Sequence, residues 1–269
     1  VPRFYDVTEG EVLVDGVNVK EYTTEALNNK LGYVPQKAVM FTGTVEDNVS
    51  YGDNGRGNIS LNNYLGKWVV LFSHPGDFTP VCTTEMIAFA NADTYFKERN
   101  ASLIGLSVDS NLSHLAWMYD IYCRTGIKLP FPIIEDRNGV IARKYGMISN
   151  DISTTQTVRN VFIIDDKGIV RTMLIYQMNV GRCIPEIIRL VEALQTADCN
   201  EAATPANWIP GEPIIISAPS TFEELRERKQ KIEREKNGIS WYLSFKESNC
   251  SAKNLQNIKN KKNESKNQL

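Results

Sequence analysis

The chain has 269 residues, of which 42% are hydrophobic and 23% charged, with a formal net charge of −2 at pH 7. That content is enough to bury a core and excludes global disorder, and the near-neutral charge argues against nucleic acid as a partner. Five irregularly spaced cysteines imply no disulfide scaffold. With no leader peptide and no apolar stretch long enough for a bilayer, the expected compartment is the cytoplasm, with no membrane partner.

Taken in chain order, residues 1–56 stand apart. They contain Gly10-Glu-Val-Leu-Val-Asp-Gly16, Leu31-Gly-Tyr-Val-Pro-Gln36, Phe41-Thr-Gly-Thr-Val-Glu-Asp-Asn48 and Tyr51-Gly52. This set resembles part of the nucleotide-binding domain of ABC transporters, with Gln36 at the place of the Q-loop glutamine. The sequence has no Gly-x-x-x-x-Gly-Lys-Ser/Thr phosphate loop, no Leu-Ser-Gly-Gly-Gln signature and no apolar strand ending in Asp-Glu. A truncated fragment that cannot hydrolyse ATP is expected, poorly ordered or packed adventitiously because so small a piece buries little surface.

The run Trp68, Val69, Val70, Leu71, Phe72 predicts a buried strand, and residues 85–96 predict a helix. Between them lies His74-Pro-Gly-Asp-Phe-Thr-Pro-Val-Cys82. Thr79 suits the N-cap and Pro80 the first helical position, so Cys82 becomes the third residue of the helix. This placement aims Cys82 at solvent from the positive end of the helix dipole, where unpaired N–H groups favour the nucleophilic thiolate. The plainer reading of Cys82 is a small buried hydrophobe.

Further on, residues 104–110, 131–136 and 157–165 predict a second strand, a strand at a sheet edge and a third strand, the last followed by a turn at Asp166-Lys-Gly168. His114 reads as a helix-face residue. Ser107, in Gly105-Leu-Ser-Val-Asp109, lacks the second glycine of a nucleophile elbow and lies in a strand, which disfavours a lipase. Arg159 sits among Val158, Val161, Phe162 and Ile163, where a guanidinium needs an anionic partner such as Glu85. Arg182 precedes an amphipathic helix over 184–194 and by itself reads as a solvated cap. Residues 223–236 predict a charged amphipathic helix, and the Asn- and Lys-rich residues 251–269 a disordered tail.

Pro75, Thr79 and Cys82 fit the Pro-x-x-x-Thr-x-x-Cys signature of peroxiredoxins, and the fuller His74-to-Glu85 wording resembles their one-cysteine branch. The similarity extends from about Asn58 to about Ser244. It takes in Gly57-Asn-Ile-Ser-Leu-Asn-Asn-Tyr-Leu-Gly-Lys67 and Thr204-Pro-Ala-Asn-Trp208, and Trp241, Tyr242 and Phe245 partly echo the family's aromatic end. The resemblance implies an α/β, thioredoxin-like fold over 57–197 with a C-terminal peroxiredoxin extension over 198–250. It also implies a thiol peroxidase: Cys82 as nucleophile, Thr79 and Arg159 as activators that bind the peroxide with Val81, Pro75 as shield, and Glu85, Arg182 and His74 in support.

Attack of sulfur on one peroxide oxygen leaves sulfenic acid, which a thiol must reduce. Expected partners are therefore a peroxide, an external thiol reductant of thioredoxin, glutaredoxin or glutathione type, and further copies of the chain in a homodimer or larger ring. Cys199 and Cys250 are weighed as resolving thiols against incidental ones, the latter favoured. With only His74 and His114 and no Cys-x-x-Cys pair, no metal and no cofactor are expected. The alternatives are a chaperone-like scaffold or a non-catalytic fusion product.

Overall fold

The computed structural model describes residues 11–23, 59–148 and 153–250. The chain divides into two compact units, 1–39 and 40–269. In the first, β1 (Leu13–Val14) and β2 (Val17–Asn18) form a small antiparallel hairpin. Asp15 and Gly16 take φ of 51° and 76° at its two-residue turn, the left-handed pair that matches strand twist. Gln36 and the other ABC-like motifs beyond residue 23 lie outside the described residues, as does the tail 251–269.

In the second unit a five-stranded sheet runs in the order β5-β4-β3-β6-β7. Its strands are β3 (Trp68–Ser73), β4 (Ala101–Ser107), β5 (Ile133–Glu135), β6 (Arg159–Ile164) and β7 (Val170–Tyr176). Parallel pairing joins β3 to β4 and β4 to β5, and antiparallel pairing joins β3 to β6 and β6 to β7. The helices are α1 (Pro80–Glu98), α2 (Asn111–Thr125), α3 (Val140–Lys144) and α4 (Ile184–Asn200).

Alternation along β3 explains the layering, because successive side chains leave a strand on opposite faces. Trp68, Val70 and Phe72 join Met86, Phe89, Phe96, Ile187 and Val191 on one side. Val69 and Leu71 join Ile104, Leu106, Ile141 and Phe162 on the other. Both faces of the central strands are thus buried, and the three strands foreseen from continuous apolar runs all appear. β5 takes the expected edge position, and Gly168 turns β6 into β7 with φ of 79°. β7 is a finding of the structure: in its Val-Arg-Thr-Met-Leu-Ile-Tyr composition Arg171 and Thr172 interrupt the apolar residues.

Beyond α4 the extension is lighter. It comprises β8 (Ile214–Ile215), α5 (Phe222–Glu235), β9 (Gly238–Ser240) and β10 (Leu243–Lys246), with β10 between the other two strands. A complete capping box of Thr221 and Glu224 starts α5, yet none of its residues is buried. The structure corrects the expectation for Cys199 and Cys250: they form a disulfide spanning 51 residues. The end of α4 provides the reason, since Asn200 accepts from Lys246 Nζ and Asn249 N and donates to Ser248 Oγ, bringing Cys250 beside Cys199. None of the described helices is long and apolar enough to cross a membrane.

Candidate active site

Cys82 stands at the third position of α1, after Thr79 as N-cap and Pro80 as first residue. Thr79 has the extended backbone of an N-cap (φ −99°, ψ 145°), but its hydroxyl donates to the Gly76 carbonyl at 2.8 Å instead of accepting from the helix. First-turn N–H groups have no intrahelical acceptor, so Val81 and Cys82 present theirs at this end. Val81 is half-buried and its Cγ1 lies 3.5 Å from where a side chain on Gly181 would begin.

The expectation that Cys82 faces solvent is corrected: it is 0% exposed and packs within the apolar layer of Phe72, Met86 and Phe89. Burial does not make it a plain hydrophobe, because Arg159 NH1 donates to its Sγ at 3.2 Å. The same nitrogen lies 2.7 Å from Glu85 Oε2, and Arg159 Nε donates to the Met178 carbonyl at 2.8 Å. Glu85 is one turn along α1 from the cysteine, so helix periodicity alone sets both groups toward β6.

Arg182 is also corrected, from a solvated cap to a buried member of the site. Its side chain is 0% exposed, and its guanidinium donates to Glu85 Oε1 at 3.0 Å, Glu85 Oε2 at 2.7 Å, the Ser73 carbonyl at 2.9 Å and the Asn160 carbonyl at 3.1 Å. It also lies over the Phe72 and Phe89 rings, with centroid distances of 5.1 and 5.4 Å. Burial pulls its pKa below the ordinary arginine value while the Glu85 charge opposes that shift. Two arginines on one carboxylate give a buried cluster in which each charge has a partner and most donors are used.

Pro75 is buried in the stretch between β3 and Thr79. His74 is fully buried, with Nε2 2.9 Å from Asp77 Oδ1, and its carbonyl accepts from Thr157 Oγ1 at 2.6 Å. Burial lowers the His74 pKa against the raising effect of the Asp77 hydrogen bond. His114 turns inward from α2, not outward along its surface, and its Nδ1 lies 2.8 Å from Asp77 Oδ2. Burial disfavours the Asp77 carboxylate, but hydrogen bonds from both histidines outweigh it and hold the group below the usual carboxylate range. The sequence reading missed Asp77 and the inward face of His114. The available signal was the three-residue spacing of His74 and Asp77, but nothing local pairs either with a residue 37 positions away.

Residues 34–173 match the profile of the AhpC/TSA family, and residues 193–231 match the C-terminal domain of 1-Cys peroxiredoxin. A relative from Caldanaerobacter subterraneus subsp. tengcongensis, peroxiredoxin 2, is 57% identical over 190 residues, covering 71% of this chain and 86% of its own. The chain belongs to the peroxiredoxin family. The peroxiredoxin of Aquifex aeolicus is 54% identical over 180 residues, covering 63% of this chain and 81% of its own. Among solved structures, a yeast mitochondrial 1-Cys peroxiredoxin superposes with a TM-score of 0.63 at 38% identity, covering 74% of this chain and 94% of that one. A cysteine-to-serine mutant of the peroxiredoxin 6 of Arenicola marina gives a TM-score of 0.66 at 32% identity, covering 79% and 100%. The fold is therefore the thioredoxin-like one of these peroxiredoxins, and the activity is that of a thiol-dependent peroxidase.

Proposed function

We propose that this peroxiredoxin reduces hydrogen peroxide and small organic hydroperoxides at Cys82. The observation that carries the assignment is the single guanidinium nitrogen of Arg159 that reaches both Cys82 Sγ at 3.2 Å and Glu85 at 2.7 Å. The Cys82 thiolate attacks one peroxide oxygen, the O–O bond breaks, and the other oxygen leaves with the electron pair and takes up a proton. Cys82 becomes sulfenic acid and the peroxide becomes water or an alcohol.

Charge develops on both oxygens, and donors already fixed in a dry site stabilise it better than water can. Arg159, the Val81 and Cys82 N–H groups, and the Thr79 hydroxyl once it leaves the Gly76 carbonyl are those donors. Glu85 and Arg182 hold Arg159 in place and Pro75 shields the sulfur. The complete burial of Cys82 favours peroxides with small substituents.

The sulfenic acid then needs a thiol from outside, of thioredoxin, glutaredoxin or glutathione type. The pairing of Cys199 with Cys250 supports this, since in the disulfide neither can attack Cys82. The yeast relative is described as resolved through glutathione and thioredoxin systems. Assembly into homodimers or larger rings is supported by exposed Phe78, Leu112 and Tyr119. Residues 1–56 are proposed as a remnant of ABC type without a phosphate loop, contributing nothing to the chemistry, although the AhpC/TSA match already begins at residue 34.

Stopped-flow oxidation of the reduced protein by hydrogen peroxide, with mass spectrometry to locate sulfenic acid, tests the assignment. The expected result is oxidation of Cys82 many orders of magnitude faster than a free thiol, absent in Cys82→Ser. Oxidation at the free-thiol rate, or at another cysteine, would overturn it.

A further inference from the structure

Asp77 is the hinge of a buried bridge that none of the peroxide-handling groups uses. A carboxylate can only accept, so each histidine donates to it: His74 through Nε2–H at 2.9 Å and His114 through Nδ1–H at 2.8 Å. The three side chains are 0%, 2% and 0% exposed. The Asp77 N–H is tied as well, donating to Asp109 Oδ2 at 3.0 Å, and Asp109 is held by the Ser107 hydroxyl at 2.9 Å.

These bonds converge on a loop under backbone strain. Phe78, directly after Asp77 and before the N-cap Thr79, sits at φ of 55°, a left-handed conformation unusual for an aromatic residue. Its side chain is mostly exposed and lies tilted to Trp117, at 6.4 Å between centroids, so little of it is packed, and the tethers on Asp77 stand directly beside the turn. From α2, Trp117 adds a second contact to the same region, its ring tilted to that of His74 at 5.2 Å between centroids and its Nε1 donating to Thr83 Oγ1 at 3.2 Å.

We propose that Asp77 and His114 are positioning residues of the peroxidase. The His74–Asp77–His114 bridge fixes the left-handed turn at Phe78 and so sets Pro75, Thr79 and the first turn of the Cys82 helix in their reactive arrangement. This deepens the assignment of peroxide cleavage to Cys82 and rests on it. The same three residues have ligand atoms within 4.8 Å of one another, close enough for a metal ion. Ligating histidines, however, normally donate their other ring N–H to a second partner. Among the described residues neither His74 Nδ1 nor His114 Nε2 has a partner, which fits donors to a carboxylate and not metal ligands.

The test compares His114→Asn, whose amide N–H₂ can stand in for Nδ1–H, with His114→Leu, which fills similar space without a donor. Peroxide oxidation rates are measured by stopped flow beside circular dichroism and thermal melts. His114→Leu is expected to slow oxidation of Cys82 roughly ten- to hundredfold, the scale of a misplaced reacting group, while His114→Asn recovers most of the rate. Equal rates for wild type and a folded His114→Leu, or equal losses for Leu and Asn, would overturn the proposal. Should the leucine variant not fold, Asp77→Asn decides, since it keeps the size but can accept from only one histidine; an unchanged rate there overturns the proposal too. Stoichiometric zinc binding to the wild type that Asp77→Asn abolishes would assign the cluster to a metal instead. A wild type that fails to react with peroxide would refute the assignment of Cys82 itself, a result distinct from all of these.

Discussion

The thioredoxin-like body and the C-terminal extension are held together by different means. In the body, all six residues of β3 and all six of β6 are buried, and apolar layers lie on both faces of the sheet. In the extension the buried cluster comprises Trp208 and Ile214 resting on Ala193 of α4, and α5 buries nothing. What the extension lacks in apolar area it replaces with point attachments: the Cys199–Cys250 disulfide, Arg189 to the Trp208 carbonyl at 3.1 Å, and Lys246 to the Asn200 carbonyl at 3.2 Å. Burial makes a region cooperative, whereas a staple makes it dependent on one bond.

Cutting into the body should give the largest effect. Phe89 stacks on Phe72 with centroids 4.1 Å apart and meets Phe131 edge-on at 6.5 Å. Phe89→Ala is expected to cost about 3–5 kcal/mol, read as a fall in the denaturant midpoint of the whole body. Glu85→Gln comes next, at about 3–5 kcal/mol for a buried charge cluster with one partner removed. Unlike Phe89→Ala, it should also slow peroxide oxidation of the remaining folded protein by tenfold or more, because Arg159 is released from its place beside Cys82. Loss of stability with an unchanged rate would make Glu85 purely structural. Cys250→Ser, or reduction of the wild type, should cost about 2–4 kcal/mol, but locally. Hydrogen exchange should rise across 201–250 and stay unchanged in β3 and β6; a uniform rise would show that the two regions unfold as one.

The same contrast governs how much was legible in the sequence. The body's central strands announce themselves as continuous apolar runs because both their faces are covered, and Cys82 is placed at the third position of its helix by a cap and the proline that directly follows it. Arg159 is readable for a related reason, since a charge inside a buried strand demands a partner. The orientation of side chains off the helices is not readable. Whether Cys82, His114 and Arg182 point inward depends on what packs against them, and their partners lie 77, 37 and 97 residues away. The Cys199–Cys250 bond is hidden likewise: it needs β10 to return along the end of α4, and the short strands β8 to β10 leave no periodic signal.

The smallest effect expected is a pH slope, and it belongs to the body alone. Burial holds the His74 imidazole below its ordinary pKa, so the folded chain resists the proton that the unfolded chain accepts at about pH 6.5. Below that pH the unfolded state binds more protons, and stability must fall as pH falls, by up to about 1.4 kcal/mol per unit for this one group. Asp77, whose pKa is also depressed, gives stability present above its unfolded value and lost on acidification, so it contributes in the same direction only below about pH 4. Between those limits the two groups are separable. His74→Gln keeps a donor toward Asp77 but cannot titrate, so the loss of stability between pH 7.5 and 5 should shrink in the variant. Denaturant titrations at the two pH values, analysed as a difference between variant and wild type, cancel every carboxylate common to both. Identical slopes would mean that His74 takes up its proton without leaving the folded state.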